Sequence, residues 1–455
     1  MSELSEQAAL KYGSHLADRI FRPGSAGYDA AIRIWAKPAS DGRPHAVIRC
    51  QTANDVQAAI RIAREHDLPL SVRCGGHDWA GRALCNGIVI DLGGMRQVRI
   101  LPGNQRVEIG GGALAADVAA ITDPQHGAVV AGSVGCVGMA GLTLGGGYGP
   151  FIGRCGLALD NLLAAEVVLA DGRIVTADAE NHPELFWALR GGGGNFGVVT
   201  RMQHRLHECP GLWSGMLIYP IGEAATVLAA ATALTAASPD ALSVQFVLAA
   251  DPSGAPMVVV VPAWCGDPAD GQRWLAPFLK LGTLIAGSIV RQSNGMFLAA
   301  FDAQIVNGRR TYMETCSLPA FDRTAIEAFV RAMAVAPSPG CMLVTHEFKG
   351  AASRVASDAT PFALRRDHVL VEIVAAFDDR GNLDDERAHS HWARRTRESF
   401  ATALAGGYPN LLARSETARA AASYGDNSAR LLGAKARYDP DNLFSSAIPL
   451  PSRTD

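Results

Sequence analysis

His77 directly follows two glycines in the run Arg73-Cys74-Gly75-Gly76-His77, and that run closes a β-rich stretch beginning at Pro69. Consecutive glycines let a backbone take positive φ and approach a ligand closely, so that its N–H groups form a concavity for an anion. Two further clusters follow: GSVGCVGMAGLTLGGGYG, starting at Gly132, and GGGGNFG, starting at Gly191. The 455-residue chain holds 48 glycines, well above the usual share of ~7%, and the excess is concentrated before Gly197. One glycine-rich turn is most simply a structural loop. Three of them among strands of one domain point to a diphosphate-bearing cofactor. Gly192–Gly197 does read G-x-G-x-x-G. It follows a helical stretch and precedes a β-like one, however, the reverse of the order that seats a pyrophosphate on a helix N-terminus.

Two side chains are candidates for moving a proton. Glu372 lies in DHVLVEIVAAF, an otherwise apolar strand, where a carboxylate is costly unless it faces a cavity or a partner. Tyr408 lies in GGYPNLL, two residues before Asn410. A free phenol titrates near pH ~10, so it needs a cationic or hydrogen-bonding neighbour to serve as a base. The choice between the two stays open. His389 and His391 form an H-x-H with no third ligand at a recognisable spacing, so no metal is expected. Neither a G-x-S-x-G elbow nor a phosphate-binding P-loop is present.

Short β-rich runs must hold these groups in the first half. HAVIRC and PLSVR flank TANDVQAAIRIAREHDL, whose Val56, Ala59, Ile60 and Ala63 share one helical face and whose Thr52 and Asp55 form a capping box. GIVIDL and RVEIG continue a sheet, and AEVVLA-DG-RIVTA reads as a hairpin closed by a two-residue type I′ turn at Asp171-Gly172. A short helix ELFWALR ends at Gly191, and the strand FGVVTRMQHRL follows it. Beyond Cys209 the texture changes. Alanine-rich helices alternate with apolar strands, LSVQFVLAA, PMVVVVPAWC and DHVLVEIVAAF, which reads as a second α+β domain with helices on one face of its sheet. A net charge of −3 argues against a nucleic-acid groove or a basic membrane face. With no apolar run of ~18 residues, no leader-like N-terminus, and nine cysteines without a CxxC pair, the expectation is a cytoplasmic protein, monomer or homodimer, in a reducing compartment.

In order, SVRCGGHDWAG, GLTLGGGYG, GLALDNLLAAEVVLADGRIVTA and PELFWALRGGGGNFGVVT resemble the FAD-linked oxidases of the para-cresol methylhydroxylase and vanillyl-alcohol oxidase superfamily. RLLGAKARYDPDNLF is similar to the terminal signature of the berberine bridge enzyme-like branch. The middle of the chain matches in texture alone. The resemblance implies an α+β, two-domain fold: an FAD-binding domain over 1–208, a substrate domain over 209–410 with an antiparallel sheet covered by helices, and a segment 411–455 returning to the FAD domain. It implies FAD bonded through its 8α-methyl carbon to His77. Arg73, Cys74, Gly75 and Gly76 would form the pyrophosphate cradle. Val137, Gly138, Gly141, Asp160, Asn161, Asn195, Gly197, Asn410 and Asn442 would also meet the cofactor.

A second, cysteinyl link is not expected. Val134 occupies its position, Cys136 lies two residues off, and Cys155 falls beyond the glycines. Val137 stands where members of the family set oxygen access, and it resembles the permissive choice. The implied reaction is hydride transfer from a small alcohol, amine or phenolic natural product to flavin N5. Tyr408 or Glu372 would take a proton and O2 would be the acceptor. A non-redox cyclase on the same scaffold is the alternative.

Overall fold

The computed structural model describes residues 16, 18–37, 43–302, 305, 307–377, 383–413 and 415–452. A small sheet comes first, in the order Ile20–Phe21, Ala46–Arg49, Ile88–Asp91, Leu70–Arg73. Its last three strands run parallel, and the central one, Ile88–Asp91, is buried along its whole length, as a strand covered on both faces must be. Helix Ala53–Glu65 packs on this sheet through Val56, Ala59, Ile60 and Ala63. The Thr52 hydroxyl accepts from the Asp55 amide while the Asp55 carboxylate accepts from the Thr52 amide, so the helix start is fixed by four consecutive residues.

A five-stranded antiparallel sheet follows, ordered Ile174–Asp178, Leu162–Val168, Val198–Arg205, Arg106–Gly110, Val98–Ile100. The hairpin around Asp171 differs from the expected two-residue turn. The Leu169 amide donates to the Arg173 carbonyl and the Gly172 amide to the Leu169 carbonyl, which leaves Ala170-Asp171-Gly172 as the loop. Gly172 has φ +85° while Asp171 has no positive φ. This is the longer hairpin loop that places an αL glycine after a type I turn, whereas type I′ needs positive φ at both central residues.

The second half builds a nine-stranded sheet, antiparallel apart from one pair. Period-two alternation divides its strands cleanly. Along Leu242–Ala250, Val244, Phe246 and Leu248 face a core shared with helices Ala224–Ala236, Arg323–Ala334 and Leu383–Ser399, and along His368–Phe377, Val371, Ile373 and Ala375 do the same. The intervening residues face the first half of the molecule. One edge strand of this sheet, Ala36–Lys37, comes from the N-terminal part and pairs in parallel with Arg309–Arg310. The chain's last helix, Ser428–Tyr438, returns to the first half, where Leu431, Ala434 and Tyr438 share a core with Leu185 and Leu189. Lys435 locks that return, its ammonium donating to the Asp439 carboxylate at 2.6 Å and to the Asn195 carbonyl at 2.9 Å.

Candidate active site

Between the glycine loops and the free face of the large sheet lies a cavity of about 1360 Å³, larger than one drug-sized ligand fills. One wall is nearly all backbone: Gly75, Gly76, Gly132, Ser133, Val134, Val137, Gly138, Gly141, Gly193, Gly194 and Gly197 line it. Here loops approach each other so closely that side chains would not fit. A Cβ on Gly138 would sit 2.4 Å from the Cys74 sulfur, and one on Gly75 would sit 2.7 Å from the Gly138 nitrogen. Gly141 is the opposite case, since a Cβ there meets nothing within 4 Å. Such a wall suits an elongated anion held by backbone dipoles. The volume of the cavity and the bare wall therefore fit FAD.

His77 and Cys74 also line the cavity. The imidazole stacks on Trp35 with centroids 4.5 Å apart and planes 2° from parallel. Burial lowers its pKa to about 4, against the pull of Glu372, Asp78 and Asp302, so at neutral pH the ring is an uncharged nucleophile. Cys136 comes within 4.0 Å of His77 Nδ1, and Val134, rather than Cys136 or Cys155, lines the cavity. Burial pushes both thiols up to about 11, away from the thiolate that a nucleophile needs.

Five of the expected cofactor residues do not line the cavity, and four of them are held by partners distant in sequence. Arg73 donates to Asp91 at 3.1 Å, because Asp91 is fully buried and must be neutralised. Asp160 receives two hydrogen bonds from Arg365, at 2.8 and 2.9 Å. Asn161 donates to the Cys155 and Leu157 carbonyls and meets His207 Nε2 at 2.6 Å. Asn195 donates to the Gly192 and Ile448 carbonyls, tying down the C-terminal segment. Asn442 is an exposed turn residue with φ +53°.

Glu372, Tyr408 and Asn410 do line the cavity. Glu372 takes the cavity face of its strand by period two, and its carboxylate lies 3.2 Å from His346 Nε2 on the neighbouring strand. Gln245 adds its amide 3.4 Å from the same imidazole. Tyr408 rests on the glycines at 145–147, where a Cβ on Gly146 would lie 2.6 Å from the Tyr408 ring. Part of the second glycine cluster is thus a seat for this tyrosine rather than a cofactor cradle. The Tyr408 oxygen accepts from the Gly147 amide at 2.9 Å and from Asn410 Nδ2 at 3.0 Å. Both lone pairs are then engaged, and the hydroxyl proton is what remains to be offered. Burial, outweighing those two donors, raises its pKa to about 12, which favours the protonated phenol. Arg82 fixes this turn by donating to the carbonyls of Pro409, Asn410 and Leu412.

Trp35, Arg82, Tyr148, Gln245 and His346 also line the cavity, and no sequence motif marks them. For Gln245 a signal existed: it is polar and lies between the apolar core residues Val244 and Phe246 along its strand. Among the described residues no group of histidine, cysteine or carboxylate side chains could hold a metal ion.

Fold and cavity together define a two-domain flavoprotein oxidoreductase of the para-cresol methylhydroxylase type. Residues 44–178 match the model of an FAD binding domain and residues 407–451 that of the berberine and berberine-like segment. The chain thus carries an FAD-binding domain and a berberine-like segment, and the relatives it matches are FAD-linked oxidoreductases. It is 34% identical to the (R)-6-hydroxynicotine oxidase of Paenarthrobacter nicotinovorans over 282 residues, which cover 60% of this chain and 60% of that protein. To the FAD-linked oxidoreductase aurO of Gibberella zeae it is 26% identical, over 94% of this chain and 84% of that one. The crystal structure of 6-hydroxy-D-nicotine oxidase from Arthrobacter nicotinovorans superposes with a TM-score of 0.83 at 27% identity, covering 94% of this chain and 96% of that one.

Proposed function

We propose that the protein oxidises a small, largely apolar organic substrate carrying an amine, alcohol or phenol group, with O2 as the final acceptor. The carrying observation is that one cavity is lined both by a neutral His77 beside the glycine wall and by Glu372 and Tyr408. Bound FAD supplies the hydride acceptor. His77 would anchor it covalently at the 8α-methyl carbon, and the backbone around Gly75, Gly138 and Gly194 would hold its diphosphate. Glu372 accepts the proton from the substrate's O–H or N–H, with His346 beside it to stabilise the carboxylate's position. Tyr408 offers its hydroxyl proton to the substrate heteroatom and orients it. Val247, Val259, Val261, Met313 and Val374 enclose the carbon skeleton and exclude water.

Anaerobic mixing of the enzyme with a panel of amines, alcohols and phenols tests this reading. A true substrate bleaches the flavin, and air restores the oxidised spectrum with one H2O2 formed per turnover. Turnover during which the flavin never bleaches would instead favour the cyclase.

A further inference from the structure

We infer that Trp35 is a positioning residue for attachment of the cofactor, presenting the His77 imidazole and stabilising the charge that develops on it. The inference rests on the His77 attachment proposed above and adds a residue that lies outside both glycine-rich loops and sequence motifs.

Several observations converge on this pair. The rings are parallel and in contact, a geometry that fixes the imidazole plane. Trp35 is itself held from both sides. Its amide donates to the Gly76 carbonyl at 2.8 Å and its carbonyl accepts from the Gly308 amide at 2.8 Å, while the next amide, Ala36, donates to the Asp78 carbonyl. The Trp35 backbone is therefore fixed between the His77 loop and the edge of the large sheet. Both rings line the cavity, so the stack opens onto the space that the isoalloxazine would occupy. The Cys136 sulfur lies 4.0 Å from His77 Nδ1, and the Cys136 amide donates to Asp302 at 2.9 Å.

The chemistry requires such a support. In the attachment step an imidazole nitrogen forms a bond to the 8α-carbon. The methyl group gives up a proton, and its C–H electron pair enters the ring system. The imidazole N–H proton is released as well, so the cofactor is left reduced by two electrons. O2 then takes two electrons and two protons and leaves as H2O2. Positive charge builds on the imidazole while the C–N bond forms. A buried ring has little water to stabilise that charge, and the π-face of Trp35 lies against it, where attraction for a cation is strongest for an indole. The carboxylates of Asp78 and Asp302 add to the same field.

The test uses full-length protein carrying Trp35→Phe, Trp35→Leu, Trp35→Ala or His77→Ala, with FAD as the probe. Acid-stable flavin is measured as purified and during timed incubation with added FAD in air. Acid-released flavin reports non-covalent binding. Trp35→Phe, which keeps a π-face, should match wild type. Trp35→Leu keeps apolar bulk without the face, and it should bind FAD yet attach it roughly ten-fold more slowly or worse, as should Trp35→Ala. Attachment at the wild-type rate in Trp35→Leu and Trp35→Ala would overturn the inference. So would variants that fail to fold or bind no FAD, since Trp35 would then be a scaffold residue. The His77→Ala arm separates the two claims. Acid-stable flavin in that variant sinks the attachment reading itself, whereas its loss there combined with full attachment in Trp35→Leu sinks only the role of Trp35.

Discussion

Asp160→Asn separates a structural from a cofactor role for the DN pair at 160–161. In the folded protein Arg365 is 2% exposed and Asp160 11%. The guanidinium makes two bonds to that carboxylate, and others to the Thr360 hydroxyl and to the Phe362 and Ala352 carbonyls. It also lies over the Phe362 ring. Asparagine keeps the shape and can still accept from the Leu157 amide, as Asp160 does at 2.9 Å, but it removes the one negative charge bonded to Arg365 among the described residues. Breaking a buried pair from one side costs about 3–5 kcal/mol, because the other charge stays buried and uncompensated. Guanidinium unfolding followed by tryptophan fluorescence should show a clearly lower midpoint, and flavin per folded molecule should not change. Asp160→Asn combined with Arg365→Met should recover much of the loss, since replacing a whole buried pair with apolar atoms is often neutral. A variant that unfolds at the wild-type midpoint but loses its flavin would refute this account and return Asp160 to the cofactor.

Further outcomes follow from the same geometry. Glu372→Gln should lower kcat by about 10²–10⁴, the usual worth of a general base, with flavin content unchanged; kcat within a few-fold of wild type would remove Glu372 from the proton transfer. Gly146→Ala should displace Tyr408, since its Cβ falls 2.6 Å from the ring at a φ of +152°. Restoring ordinary contact needs a shift of about 1 Å, which costs about 10² in rate, and an unaffected rate would contradict the donor role of the tyrosine. Stability should fall with acid. Burial lowers the pKa of His204 to about 3 and of His368 to about 4, so below their unfolded value the unfolded chain binds protons that the folded one refuses. Their contribution is complete above pH ~6.5 and erodes below it by on the order of 1 kcal/mol per pH unit for each histidine. Equal denaturation midpoints at pH 7.5 and pH 5 would argue against it.

Local signals in the sequence proved legible, and long-range ones did not. The capping box at Thr52 and Asp55 and the cavity-facing register of Glu372 depend on residues within one element, where period and spacing suffice. The Asp171-Gly172 turn was misread because loop length depends on where the flanking strands stop pairing, and that is set across the sheet. Arg73, Asp160 and Asn195 have polar side chains beside glycine loops, which suits a cofactor on paper. Their true partners, Asp91, Arg365 and the C-terminal segment, lie between 18 and 253 residues away, and nothing local announces them. His346 pairs with Glu372 and Trp35 stacks on His77 for the same reason: neighbouring strands and loops juxtapose them, not the chain.

The central claim is that His77 carries the cofactor. Trypsin cleaves after Arg73 and Arg82, which isolates Cys74–Arg82 as a peptide containing His77 but neither Cys136 nor Cys155. Mass spectrometry of the acid-treated digest should find the mass of FAD on that peptide, with fragmentation placing it on the histidine. Flavin mass on a peptide containing Cys136 or Cys155, or flavin recovered only in free form, would contradict the account.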